Sequence, residues 1–474
     1  MDFFDDDIEY DNEDEIHRKE NSGTNSDEKK KKLSELLKML IISRDPELLE
    51  EIIDSYYDCG DYDNALIYAN LLLEKYPYHN EGYLKKGIVL DALKEYELAL
   101  KFFNKGLLLN SSDPEIYLNK ALTLGNLKRF DDSLVCLNKA LNLDSSNTEI
   151  IFNKGLVLEK LERFEEAIEC FNITVKDKFY EKDSYYELGY CFDFLDMLGI
   201  SLVYYDRHLE ISPDNYTAWY NRGIVLNRLG RYLKAIESYQ YCLSIKENFY
   251  PAWYNCGNAY TSLGRLLRAY KCFKEAIKYN KKDNFSLHNL GNVCIELSRF
   301  TEAIEYFSGA LEIDGSNYES FYGRGTCYYN NGMFKEALKD FDSALKLFES
   351  HSELWYSKAD AEFSLGKFDE AIDSYKKVTE FEPANYLVWY DYGIALLEKK
   401  KYGEALRAFS ESVKNNPEWA EPYYEKAKIY FIKGEIEEGL IMLEQGFRLN
   451  PSDRFQFDFN KDWEKVIDFL MNRE

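Results

Sequence analysis

The chain is 474 residues long, and its 59 Lys and Arg against 85 Asp and Glu leave a formal net charge of −26. Such an excess repels polyphosphates and anionic lipid surfaces, so neither nucleic acid nor membrane is expected as a partner of the chain as a whole. No stretch reaches the roughly 18 apolar residues of a spanning helix, and the nine cysteines, odd in number and without a CxxC pair, read as small hydrophobes in a reducing compartment.

Residues 1–32 carry acidic and then basic runs with few aliphatics, a composition that predicts an unpacked tail. Phe3, Phe4, Ile8 and Tyr10 stand among its acids, a pattern that can also serve as a short docking motif. Met1-Asp2-Phe3-Phe4-Asp5 does not resemble a secretory signal, and the expected location is cytoplasmic. The segment 33–45, amphipathic from Leu33 to Leu40, is expected to form an N-terminal capping helix.

From about residue 46 to 453 one period dominates. Gly87, Ala121, Gly155, Gly189, Gly223, Gly257, Gly291, Gly325, Ala359, Gly393 and Ala427 recur every 34 residues without a slip. A bulky residue lies four positions before each rung, as in Tyr83, Trp219, Trp253, Trp355 and Trp389. Small residues such as Ala99, Ala235 and Ala371 lie twelve after it, and a ring or Leu such as Phe103 or Tyr239 lies sixteen after it. Apolar residues recur at three and four within each unit, the spacing of one helix face. Gly60, Gly230, Gly264, Gly332, Gly366 and Gly434 share a turn position that suits positive φ, and Pro77, Pro213, Pro383, Pro417 and Pro451 close units at another. Each unit therefore reads as a helical hairpin, about twelve in all, with the small rungs expected to face a neighbouring backbone. Residues 454–474, with Trp463, Ile467 and Leu470, read as a C-terminal capping helix.

These positions resemble the tetratricopeptide repeat, most closely in the unit from Tyr216 to Phe249 through Trp219, Gly223, Gly230, Tyr232, Ala235 and Tyr239. The resemblance implies an all-α, right-handed solenoid superhelix whose first helices line a concave groove, and a non-enzymatic protein-interaction role.

Two residues before the rungs run Asn119, Asn153, Asn221, Asn255 and Asn289, interrupted by Glu187 and followed by Gly323, Ser357, Asp391 and Glu425. An amide offers a donor and an acceptor, so an Asn ladder can pair with the backbone of an extended peptide without choosing its sequence. The family resemblance implies the same use of such a ladder. One position earlier stand Phe152, Tyr186, Tyr220, Tyr254, His288, Tyr322, Tyr356, Tyr390 and Tyr424, which suit either a phenol-lined groove floor or packing between first helices. Glu81, Glu115, Glu149, Asp183, Glu319, Glu353 and Glu421, near the helix starts, complement the helix dipole.

The family's clamp for acidic chaperone tails is not expected, because Glu319 and Gly323 stand where its basic residues belong. The fifth unit, residues 182–215, departs most from the pattern, with Glu187, Asp196 at its turn and His208 at a packing position. No phosphate loop, catalytic motif or metal-ligand spacing is present, and Gly323-Arg324-Gly325 reads as repeat structure. No cofactor and no intrinsic catalysis are expected. The function expected is a scaffold for a neutral or basic protein segment, or alternatively a targeting subunit that delivers substrate to a separately encoded enzyme.

Overall fold

The computed structural model of the chain describes residues 25–40 and 45–451; the expected cap over 454–474 and most of the expected N-terminal tail lie outside these residues. All the regular elements among the described residues are helices, apart from a single 3-10 residue at Pro451. The first, Asn25–Leu40, starts upstream of the segment expected as a cap, since the lysine run before Leu33 belongs to good helix formers. Leu36 is buried there with Leu48 and Ile52 of the next helix.

The chain divides into two compact units, residues 1–231 and 232–474. In the first unit the opening helix is followed by five hairpins, from Pro46–Asp58 with Tyr62–Lys75 to Glu181–Phe194 with Leu198–Ile211, and then by Tyr216–Arg228. The second unit begins with Tyr232–Ile245 and continues through six hairpins, from Tyr250–Ser262 with Leu266–Tyr279 to Glu421–Ile432 with Ile436–Leu449. Within each unit, the second helix of one repeat packs on the first helix of the next, so the apolar core is a continuous seam.

Twelve turns repeat one geometry. Gly60, Gly230, Gly264, Gly332, Gly366 and Gly434 all take φ between 67° and 79°, as the turn position requires. Lys94, Lys128, Glu162, Asp196, Ser298 and Lys400 take the same left-handed conformation at the equivalent positions, with φ of 56–61°. A side chain there costs about 1 kcal/mol relative to glycine, and hairpin packing outweighs it. Where the bulky position four before the rung carries an indole it closes the preceding loop: the N–H groups of Trp219, Trp253, Trp355 and Trp389 donate to the carbonyls of Pro213, Glu247, Glu349 and Pro383 at 2.8–2.9 Å.

The small rungs do not face a backbone. A Cβ on Gly155, Gly189, Gly257, Gly291, Gly325 or Gly393 would lie 2.6–2.9 Å from the ring sixteen residues on, and one on Gly87 would strike Phe103. Those rings, Phe103, Phe171, Tyr205, Phe273, Phe307, Phe341 and Phe409, are fully buried on the second helix of the same repeat. The rung is therefore the socket for a ring. At Ala121 and Ala427 the residue sixteen on is Leu137 or Leu443, and the smaller side chain leaves space for the methyl. Ala359 is the exception, since it shares its cluster with Tyr375.

Candidate protein-binding face

The residue before the Asn ladder packs onto the same buried rings. Phe152, Tyr186, Tyr254, His288, Tyr322, Tyr356 and Tyr390 each meet the ring nineteen residues on, with centroids 5.6–6.1 Å apart and planes inclined by 46–71°. This geometry matches the favourable edge-to-face arrangement of aromatic quadrupoles. Each of these side chains is only partly buried, so one ring edge is committed to the core and the rest remains near the surface. Tyr220, in the same class, is buried.

The phenol hydroxyls then reach one repeat forward. Asn221 Nδ2 donates to Tyr186 Oη at 3.0 Å, Asn289 Nδ2 to Tyr254 Oη at 3.4 Å, and Tyr356 Oη donates to Asp391 at 2.6 Å. Asn289 also donates to Asn258 Oδ1 at 2.8 Å. In the earlier repeats the residue thirty-five positions back is Leu84 or Leu118, which has no acceptor. There the amides of Asn119 and Asn153 turn onto their own helix and donate to the carbonyls of Glu115 and Glu149 at 2.9 Å. Thus the residue one repeat upstream decides where each ladder amide goes. Asn255 is half-buried like the others. The Oδ1 atoms of Asn119, Asn153, Asn221 and Asn289 accept no hydrogen bond among the described residues, so each amide is fixed by its donor end and leaves an acceptor.

Carboxyl groups gather along the same helices. Burial raises Glu81 above the ordinary carboxyl range, with Lys85 opposing and Glu115 of the next repeat adding to the rise. Glu159 is 8 % exposed and accepts the S–H of Cys191 at 3.0 Å. Burial pushes it up to about 7, and burial together with the Glu159 charge pushes the adjoining Glu187 well above its ordinary value. In the second unit, Tyr375 Oη donates to Asp360 at 2.5 Å, and burial lifts Asp360 to about 6.

The deviant fifth repeat is satisfied internally. His208 is 2 % exposed; Asn215 Nδ2 lies 3.0 Å from its Nε2, and its Nδ1 lies 2.7 Å from the Lys182 carbonyl. That network sets a neutral ring with Nδ1–H as donor, and burial lowers its pKa. Gly323-Arg324-Gly325 is likewise architecture. Gly323 abuts Phe307, Gly325 abuts Phe341, and Arg324 makes a bidentate pair with buried Asp340 at 2.7 and 2.8 Å.

No group of three or more His, Cys, Asp or Glu side chains among the described residues is arranged to hold a metal ion. Eight of the nine cysteines are buried, and Cys59 is exposed. Burial pushes Cys242 and Cys327 up to about 12, which leaves them poor nucleophiles. The structure adds a second polar ladder to the one expected: Asp113, Asn147, Asn215, Asn317 and Asn385 cap the first helices by accepting backbone N–H groups. Its 34-residue spacing is visible in the sequence.

Models described as tetratricopeptide or TPR repeats match residues 214–282, 359–400, 114–147, 148–172, 286–317 and 420–453. A model of the anaphase-promoting complex, cyclosome, subunit 3, matches residues 306–378. Taken together the matched segments span more than half of the chain. No curated protein matches it. Among solved structures, the APC/C hetero-tetramer Cut9-Hcn1 is 15% identical over 90% of this chain and 94% of its own, with a TM-score of 0.39. YrrB, described as a TPR protein with an unusual peptide-binding site, is 26% identical over 38% of this chain and 92% of its own, with a TM-score of 0.36. A tetratricopeptide repeat protein from Parabacteroides merdae is 20% identical over 55% of this chain and 98% of its own, at a TM-score of 0.38.

Proposed function

We propose that this chain, which belongs to the tetratricopeptide repeat family, is a non-enzymatic scaffold that holds an extended protein segment against the first-helix face of its repeats. The observation that carries the reading is the tethered Asn ladder. With at least one N–H of each bonded within the protein, the amides of Asn119, Asn153, Asn221 and Asn289 are held in place with Oδ1 left to accept a peptide N–H. Preorganisation of this kind lowers the ordering cost of binding. The half-buried rings beside them, Tyr186, Tyr254, Tyr322, Tyr356 and Tyr390, offer rigid contact area for side chains.

The acids on these helices and the net charge of −26 favour a neutral or basic segment and an association that salt weakens. The family and the buried, unbridged cysteines agree with a cytoplasmic binding protein without catalytic chemistry. The test is affinity purification from native cells with the parent chain and with Asn221→Ala/Asn255→Ala/Asn289→Ala. The triple variant should keep its helical signal and lose the proteins captured by the parent. Unchanged capture would sink the reading.

A further inference from the structure

In a chain with a net charge of −26, the segment 265–282 is strongly basic, with seven Lys and Arg against one acid, Glu275. Most of it is the helix Leu266–Tyr279, which buries Ala269, Cys272, Phe273 and Ala276. Leu267, Lys271, Lys274 and Lys278 succeed one another at spacings of four, three and four, which places them together on the opposite face of the helix. Leu267 is 60% exposed, and all three lysines are exposed.

An open cleft of about 590 Å³ runs beside this stripe, walled by Trp253 and Tyr270 and edged by Lys271, Lys274 and Lys278. The two acids at its edge are already engaged: Glu247 accepts from Tyr279 Oη at 2.9 Å, and Glu275 pairs with Lys278 at 2.7 Å. Lys274 donates to Tyr306 Oη at 3.2 Å and forms no ion pair, and Lys271 forms none either among the described residues. Cations elsewhere in the array commonly have a carboxylate partner, as Lys85, Arg222, Arg324, Lys358 and Lys399 do.

We propose that this cleft docks an acidic peptide segment of a partner protein, one that carries an aromatic or aliphatic side chain among its carboxylates. Lys271 and Lys274 would pair with the carboxylates and Lys278, held by Glu275, adds to the positive field, while Leu267 and the rings of Trp253 and Tyr270 take the apolar side chain. The acidity of the chain as a whole adds selectivity, because an acidic segment is repelled by the net charge of −26 and attracted to this stripe. A polyphosphate suits the site less well. It brings carboxylate-like charge to the lysines but no apolar side chain to Trp253 and Tyr270. Its lysines lie on a second helix, whereas the Asn ladder stands on first helices.

The test uses the full chain and fluorescence anisotropy with a labelled peptide of Glu and Asp around a central Phe. Controls are the same peptide with Gln and Asn in place of the acids, and an oligouridylate. The acidic peptide should bind, and Lys271→Glu/Lys274→Glu/Lys278→Glu should weaken it by roughly tenfold or more without altering helicity. Any one of four results overturns the proposal: no binding, equal binding of the neutral peptide, tighter binding of the oligouridylate, or an unaffected triple variant.

Discussion

Gly257→Ala is the most direct probe of the repeat joint. The added Cβ would stand 2.6 Å from Phe273 Cε1 and 2.8 Å from Cδ1 and Cζ, whereas carbon atoms prefer about 3.5–4.0 Å. Relief requires the ring to move by about 1 Å, but Phe273 is fully buried and has no free space to enter. Overpacking of this kind costs roughly 1–3 kcal/mol. The chain itself suggests the compensation, since the Ala rungs at Ala121 and Ala427 stand opposite Leu137 and Leu443. Gly257→Ala/Phe273→Leu should therefore be less destabilised than the sum of its single variants, with a coupling of about 0.5–3 kcal/mol. Urea midpoints followed by far-ultraviolet circular dichroism measure all four members of the cycle. A neutral Gly257→Ala, or strict additivity, would refute the socket reasoning. The coexistence of Ala359 with Tyr375 shows that one joint tolerates both, so the effect belongs to joints built around glycine.

Further predictions concern charge. Arg324→Met should cost about 3–5 kcal/mol by leaving Asp340, 4% exposed, without its partner; Arg324→Met/Asp340→Leu should recover most of that in the same urea assay. Glu159 is raised to about 7 in the fold, so the folded state holds its proton more tightly than the unfolded chain. Its penalty is absent below the ordinary carboxyl range, grows as pH rises through it, and is complete above about pH 7. Glu159→Gln should accordingly stabilise the protein by up to about 3 kcal/mol at pH 8, with the gain vanishing towards pH 4.5. His208, lowered by burial, should remain the Nδ1–H tautomer at pH values where an ordinary histidine is half protonated. Histidine nitrogen chemical shifts report this directly, and the His208 contribution to stability should fall as pH drops below about 6.5.

The hairpins were legible because a 34-residue period aligns equivalent residues whatever their neighbours are. The glycine turns were legible too, since Gly60, Gly230 and their equivalents carry a backbone requirement in their identity. The same turn at Lys94, Glu162 or Ser298 was not, because cooperative packing imposes the conformation against local preference. The period shows that rungs align but not what each one faces, and so the ring sockets appear only in three dimensions. The fates of the ladder amides depend on residues a full repeat upstream: Leu84 and Leu118 send Asn119 and Asn153 back onto their own helix, whereas Tyr186 and Tyr254 draw Asn221 and Asn289 across. A register offset of thirty-five arises from helix-to-helix geometry, which composition and spacing within one unit do not encode.

The central claim, capture of an extended segment along the first-helix face, is tested most directly by site-specific photo-crosslinking. A benzophenone side chain placed at Asn292, exposed on the same first helix as Asn289, should yield adducts with a partner segment. The same group at Ser410, exposed on the second helix Tyr402–Asn415, should not capture that segment. Adducts with it at Ser410 and none at Asn292 would contradict the account.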